Sequence, residues 1–262
     1  MKIVSFDIEG KFAHFRKFHG NNTALSYSIP PRTTIIGLIA AIMGEEKNSY
    51  YNHYKHKNLK IGIRVLSDLK KTFHRLNLLM IKTKEDFTGR SGRVQTPIEV
   101  VTGNSLRDDN VVYRIYLGAG DVKETFGEIS SALEQGERKF NLSLGSANFI
   151  AHITTVKIHE GVEKVAQADW LDMHSACNSD QVSEIKFPDD PAFKFNHIEE
   201  ELMPADFVSN NDREVYRMNR VLFATTNFPL HVKLKGPYYT LVNDKRAENI
   251  QFLEYAGILT QS

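Results

Sequence analysis

The segment Phe12-Ala13-His14-Phe15-Arg16-Lys17-Phe18-His19-Gly20, followed by Tyr27 and Arg32, alternates cationic groups with aromatic rings. Phosphates attract the cations and unstacked bases stack on the rings, so the pattern suits a single-stranded nucleic acid. The competing reading is a strand with its apolar face in a core and its basic face in water. A second patch, Thr88-Gly89-Arg90-Ser91-Gly92-Arg93-Val94-Gln95-Thr96, puts two arginines on a glycine-flexed segment with hydroxyl and amide donors beside them. Projecting from a hairpin tip, it fits a nucleic-acid backbone. Otherwise it is an ordinary surface loop.

Enzyme signatures are missing: the sequence contains no Walker loop, nucleophile elbow, HExxH or paired CxxC. Gly118-Ala119-Gly120 lacks the third glycine and the ribose-binding acid of a dinucleotide site, and reads as a turn entering a helix. His53 and His56 lie one helical turn apart, but lysines crowd them and no third ligand is near, so a solvated connector is expected. Asp108-Asp109 and Asp189-Asp190 sit in turn-like contexts without the spaced carboxylates of a two-metal site. Neither a metal nor a cofactor is expected.

These patches need elements to hold them. Lys2 to Glu9 places Val4, Phe6 and Ile8 opposite Ser5, Asp7 and Glu9, the period of two of a strand. Pro30-Pro31-Arg32-Thr33 leads into Ile35, Leu38, Ile39, Ile42 and Met43 with Gly44 behind, which predicts a buried helix with a proline entry and a glycine stop. Gly37 inside it costs about 1 kcal/mol relative to alanine, which predicts close packing against a sheet. Strand-like runs follow at 59–66, 72–81, 94–101 and 111–117. A second helix starts at Asp121, with Glu124 completing a capping-box pattern, and stops at Gly136. Leu142-Ser143-Leu144-Gly145-Ser146-Ala147-Asn148 then leads into a strand over 149–158. The order β, α, β, hairpin, β, α, β is the ferredoxin-like split βαβ pattern of an α+β fold, with an extended hairpin inserted in its middle. Opposite its apolar face, strand one shows Ser5, Asp7 and Glu9 where a standard RRM has aromatic and basic residues, so RNA would be met by loops and the hairpin rather than across the sheet.

Residues 160–214 carry 14 acidic and 4 basic side chains with Pro188, Pro191 and Pro204, and read as an acidic, loop-rich insertion with a short strand at 182–187. Strand-like runs at 220–225 and 230–235 suggest a small antiparallel β subdomain. The expected division is therefore residues 1–158, with the hairpin at about 72–101, and residues 159–262. Charge divides the same way: residues 1–120 hold 19 Lys/Arg against 10 Asp/Glu, and residues 121–262 hold 14 against 22. That asymmetry suggests an anionic partner for one half and a basic protein neighbour for the other, or simply charge scattered over solvated surfaces. Glu199-Glu200-Glu201 is expected to face solvent or such a neighbour. At 262 residues, 41% hydrophobic and 25% charged, the chain is an ordinary folded protein. Its lone Cys177 closes no internal disulfide, acidic Asp7 and Glu9 occupy the place of a signal-peptide core, and no run approaches the roughly 18 apolar residues of a membrane span, which together predict a cytosolic protein.

Ser26-Tyr27-Ser28-Ile29-Pro30-Pro31-Arg32-Thr33-Thr34-Ile35-Ile36-Gly37-Leu38-Ile39-Ala40-Ala41-Ile42-Met43-Gly44, after the opening strand, resembles the N-terminal signature of the fifth CRISPR-associated (Cas five) family of the RAMP superfamily. Residues 142–148 are similar to that family's glycine loop, and the basic hairpin sits where the family carries its thumb. The resemblance implies an RRM-like RAMP core and a non-catalytic subunit of a type I Cascade complex. Such a subunit grips the 5′ handle of the crRNA, caps one end of the backbone filament and docks the large subunit in antiviral defence. The form of the motif is most similar to the type I-B subgroup. On that resemblance the thumb role falls on Arg90 and Arg93, the handle-facing loop on Arg16, Lys17, His19 and Arg32, and the glycine-loop contact on Gly145, Ser146 and Asn148, with Tyr27 an RNA-binding candidate from the aromatic pattern. The implied partners are crRNA and the Cascade backbone and large subunits, with no membrane and no small-molecule substrate. One branch of the family, in type I-C systems, is instead a metal-independent endoribonuclease. Tyr27, Lys17, His14 and His19 are the groups available for it, because such cleavage needs only a base for the 2′ hydroxyl, an acid and a cation. No Lys-His pair here aligns with that branch's motif. A third reading is a protein-interaction module that binds no RNA.

Overall fold

Alternation makes Lys2–Gly10 a strand, β1, and both of its faces are buried: Val4, Phe6 and Ile8 enter one core while Ile3 enters another. The structure is a computed structural model that describes residues 1–18, 23–79, 81, 83–89, 92–166, 169–187, 197–208, 213–242, 247–254 and 258–259. After β1 come the short strands β2 (Phe15–Arg16) and β3 (Ser26–Tyr27), helix α1 (Arg32–Met43), β4 (Leu59–Val65), the hairpin strands β5 (Leu69–Leu79) and β6 (Arg93–Gly103), β7 (Val111–Ala119), helix α2 (Lys123–Gln135) and β8 (His152–Val165). Then follow β9 (Leu171–Met173), β10 (Cys177–Asn178), β11 (Val182–Lys186), β12 (Ile198–Phe207), β13 (Val215–Ala224), β14 (Leu230–Leu234), β15 (Pro237–Val242), β16 (Ala247–Ile250) and β17 (Ile258–Leu259). The fold is mixed α/β and sheet-rich, with two α-helices among the described residues.

One six-stranded sheet runs in the order β16-β15-β8-β1-β7-β4, and every pairing in it is antiparallel. Both helices cover the Val4/Phe6/Ile8 face, where Ile35, Ile39 and Ile42 of α1 and Phe126, Ile129 and Leu133 of α2 join Ile61, Ile63 and Ile115 in one core. Each aliphatic side chain fully buried in this way stabilises the fold by roughly 1.5–3 kcal/mol. Gly44 ends α1 in the left-handed region, φ 81°, donating its N–H to Ala40 O, as the glycine stop predicts. Gly136 does the same for α2 at φ 68°.

Several expectations need correction. Gly37 does not touch the sheet: a Cβ there would meet only the Tyr50 hydroxyl, at 3.4 Å. The capping box at Asp121 is absent, because α2 starts one residue later with Val122 as its N-cap and no side-chain cap. The boundary expected after residue 158 falls inside β8, which runs unbroken to Val165 and there pairs with β15. Met203, Val221, Phe223 and Leu253 pack into the same core as β1, so the C-terminal residues complete the N-terminal core. Residues 160–214 are also less loop-like than their acidity suggested. β12 is a ten-residue strand paired with β13, and its acidic side chains are met by cations of the N-terminal half: Glu201 by Lys17 at 2.5 Å, Asp206 by Arg32 at 2.5 Å, and Glu199 by Lys71 at 3.5 Å. Glu199 and Glu201 therefore face basic residues of this chain, and only Glu200, with Arg220 at 3.5 Å, keeps an outward position. Much of the charge asymmetry is an internal complementarity.

Candidate nucleic-acid interface

Three segments meet beside the start of α1. Ala13 and Val101 exchange backbone hydrogen bonds of 2.9 and 2.8 Å, which ties the His14–Phe18 stretch to the root of the β5–β6 hairpin. His14 donates its N–H to Leu144 O at 3.0 Å, which ties the same stretch to the glycine loop. Leu142 and Leu144 are buried and anchor that loop, while the Phe149 N–H donates to Ser146 O at 2.9 Å and closes its turn. Gly145 is required twice over. Its φ is +87°, and a Cβ there would lie 2.0 Å from the His14 carbonyl oxygen.

Between these segments lies a groove of about 740 Å³. Arg16 and Phe18, Thr34 and Gly37 of α1, Leu78 and Thr96 of the hairpin, Gly145 and Ser146, and Phe207 and Arg213 all line it. Arg16 is exposed and Phe18 is 54% exposed. The groove thus offers cations, hydroxyls and an aromatic ring, the set that a phosphate backbone with unstacked bases requires. His14 also lines it. Its Nδ1 lies 2.7 Å from Glu99 O, and burial, with Arg16 nearby, pushes its pKa below the usual histidine value.

The groove brings together Arg16, Gly145 and Ser146 of the expected site. Asn148 is exposed on the same loop outside the groove lining. Arg93 is exposed at the start of β6, opposite Leu79. The hairpin carries more apolar surface than its two arginines suggested, with Phe73 61%, Leu78 46% and Phe87 70% exposed. His19 and Arg90 lie outside the described residues.

Arg32, Tyr27 and Lys17 are turned elsewhere. Arg32 is 2% exposed; Nη1 donates to Asp206 Oδ1 at 2.5 Å and to Ala205 O at 3.3 Å, and Nη2 donates to Tyr54 O at 2.8 Å and Leu59 O at 2.9 Å. It is a buried tether between α1, the segment before β4, and β12, with no face left for a phosphate. Tyr27 is fully buried, its hydroxyl donates to Leu202 O at 3.0 Å, and burial raises its pKa well above the ordinary tyrosine value. No base can stack on it. Lys17 lies 5.2 Å above the Tyr27 ring and is paired with Glu201. The pattern that suggested a nucleic-acid strip is thus split: His14, Arg16 and Phe18 line the groove, whereas Tyr27, Lys17 and Arg32 hold β12 in place.

His56, expected in a solvated connector, belongs to this tether, with Nδ1 2.9 Å from Asp206 Oδ2, and the neighbouring Tyr50, Tyr51 and Tyr54 are buried. Arg213 and Phe207 had no sequence signal as groove residues, since they lie in or beside the acidic stretch. Among the described residues, no group of three or more His, Cys, Asp or Glu side chains is placed to hold a metal ion, and no helix is long and apolar enough to cross a membrane. The second face of the central sheet is not an open platform: His159 bonds Ser5 at 2.7 Å, Arg114 bonds Asp7 at 2.6 and 2.9 Å, and Tyr116, Tyr239, Ile250 and Phe252 close over Ile3.

This sheet-rich α/β architecture is also that of a CRISPR protein from Archaeoglobus fulgidus, whose crystal structure aligns with 96% of this chain and 100% of its own at 14% identity and a TM-score of 0.55. The family model described as CRISPR-associated protein (Cas_Cas5) matches residues 3–221, and the chain belongs to that family. A chain of a CRISPR RNA-guided surveillance complex aligns with 87% of this chain and 91% of its own at 14% identity and a TM-score of 0.48. No curated protein matches the sequence.

Proposed function

We propose that this protein is a crRNA-binding subunit of a type I CRISPR surveillance complex, of the type I-B subgroup, built on a ferredoxin-like βαββαβ core. It holds the 5′ handle of the guide RNA in the groove between the hairpin and the glycine loop, docks the backbone and large subunits, and leaves the RNA intact. The observation that carries this reading is the convergence of exposed Arg16, the glycine loop and the hairpin on one groove, in a chain of this family. Anionic single strands are the ligands such a lining attracts.

Replacing Arg16 and Arg93 together with alanine is expected to weaken binding of repeat-derived RNA and flatten its salt dependence, since each lost phosphate contact removes roughly 0.7 from the slope of log K against log salt. Titrations at several salt concentrations check this. An unchanged slope in the double variant counts against the groove as the RNA site.

Binding without cleavage is supported by the engagement of two groups a metal-independent nuclease would need: the Tyr27 hydroxyl is committed to Leu202 O and the Lys17 ammonium to Glu201. Precursor RNA containing the repeat, incubated with stoichiometric protein with and without EDTA, is expected to stay intact. Cutting at one site that survives EDTA and is lost in His14→Ala would establish the nuclease reading instead.

A further inference from the structure

We propose that His14 reads the ribose 2′ hydroxyl of the bound strand, accepting its hydrogen at Nε2, and that this contact makes the groove selective for RNA. The inference rests on the reading of the groove as an RNA site and adds a specificity-determining residue to it.

The argument is one of donor and acceptor inventory. His14 lines the groove, and its Nδ1 lies 2.7 Å from Glu99 O. A carbonyl oxygen only accepts, so the shared proton sits on Nδ1. Burial disfavours the imidazolium form and, with a smaller push from Arg16, outweighs the opposite pull of the Glu99 carbonyl and carboxylate. A neutral ring protonated at Nδ1 has an unprotonated lone pair at Nε2. Arg16, Ser146 and Thr34, which also line the groove, bring N–H and O–H donors that suit phosphate oxygens. The two hydroxyls can accept as well, but Nε2 of a neutral ring protonated at Nδ1 has a lone pair only, so it requires a donor on the ligand. In a single nucleic-acid strand the donors are base N–H groups and the ribose 2′ hydroxyl, and the hydroxyl is the one present at every RNA nucleotide and missing from DNA.

The position of His14 favours the sugar. Its backbone N–H is bonded to Leu144 O, and its carbonyl faces Gly145 so closely that a Cβ there would lie 2.0 Å away. The backbone of His14 therefore sits at the junction that carries the glycine loop, and its side chain, largely buried, lines the groove beside the groups suited to phosphate. Sugars lie next to phosphates along a strand, whereas base edges lie farther out.

The test compares repeat-derived single-stranded RNA with the same oligonucleotide carrying 2′-fluoro groups, which keep an RNA-like sugar but cannot donate, and with the DNA version. The native chain is expected to bind the hydroxyl form about tenfold more tightly than the fluoro form, the scale of one buried hydrogen bond. Positional scanning with single 2′-fluoro substitutions should trace most of that loss to one nucleotide. In His14→Phe the ratio should fall towards one, and in His14→Gln, which retains an acceptor, part of it should return. Equal binding of hydroxyl and fluoro RNA by the native chain overturns the inference and leaves the RNA-binding reading standing; this arm needs no variant to fold. A tenfold preference that persists in a folded His14→Phe also overturns it. Failure of the native chain to bind any of the three strands removes the RNA-binding reading and this inference with it.

Discussion

Arg32→Ala is expected to destabilise the protein by about 3–5 kcal/mol, the cost of removing one partner from a buried ion pair. The substitution deletes four donor contacts at once, to Asp206, Ala205, Tyr54 and Leu59. It also leaves the Asp206 carboxylate, with a side chain 3% exposed, without its closest cation. His56 and Arg217 also face Asp206, at 2.9 and 3.9 Å, whereas Arg32 joins that carboxylate to the carbonyls of Tyr54 and Leu59. Arg32→Lys should recover little, because one ammonium cannot span a carboxylate and carbonyls on two sides. Urea denaturation of the native chain and both variants provides the measurement. A loss below about 1 kcal/mol, the scale of an exposed pair, would show that the tether is dispensable.

The second large effect is expected at Gly145. A Cβ there would sit 2.0 Å from the His14 carbonyl oxygen, and φ is +87°. Gly145→Ala therefore forces the glycine loop away from the His14–Arg16 segment, at a cost of about 1–3 kcal/mol for the strained backbone alone. On the proposed function, RNA affinity should fall by about tenfold or more, the penalty of misplacing one or more hydrogen-bonded contacts. Gly136→Ala is the control: its φ is +68°, but no atom lies within 4 Å of the added Cβ. It should lose stability only, with RNA affinity unchanged. Gly145→Ala with native thermal stability and native RNA affinity would sink the assignment of the loop as a wall of the site.

The two predictions differ in how visible their residues were. Arg32 sits in the Pro-Pro-Arg-Thr-Thr motif, and the motif marks the family correctly, since the family model spans it. What sequence could not supply was the reason for the arginine. Beside His14, Arg16 and Lys17 it reads as one more phosphate ligand, because the residue that neutralises it, Asp206, lies 174 positions away. Gly145 was legible as a loop glycine, but the 2.0 Å approach that makes it irreplaceable depends on where residue 14 lies in space.

Local rules are strong where a few neighbouring residues decide the outcome. The alternation in β1, the glycine stop after α1, the hairpin and the order of strands and helices up to β8 all follow from periods of two and 3.6 and from turn chemistry acting over a few residues. Those rules marked two cationic patches in the sequence as candidates for a nucleic-acid surface beside a sheet-and-helix core. They could not separate Arg16, which faces the groove, from Lys17 beside it, which turns to Glu201. Consecutive residues of a strand point to opposite sides, and which side is solvent depends on what packs there. Here β12 packs there: an acidic segment that looks like a solvated loop becomes a ten-residue strand because the basic half of the chain compensates its charge. Tertiary structure alone decided which cations remain free for an outside anion, because ion pairing acts through space and carries no trace in local sequence spacing.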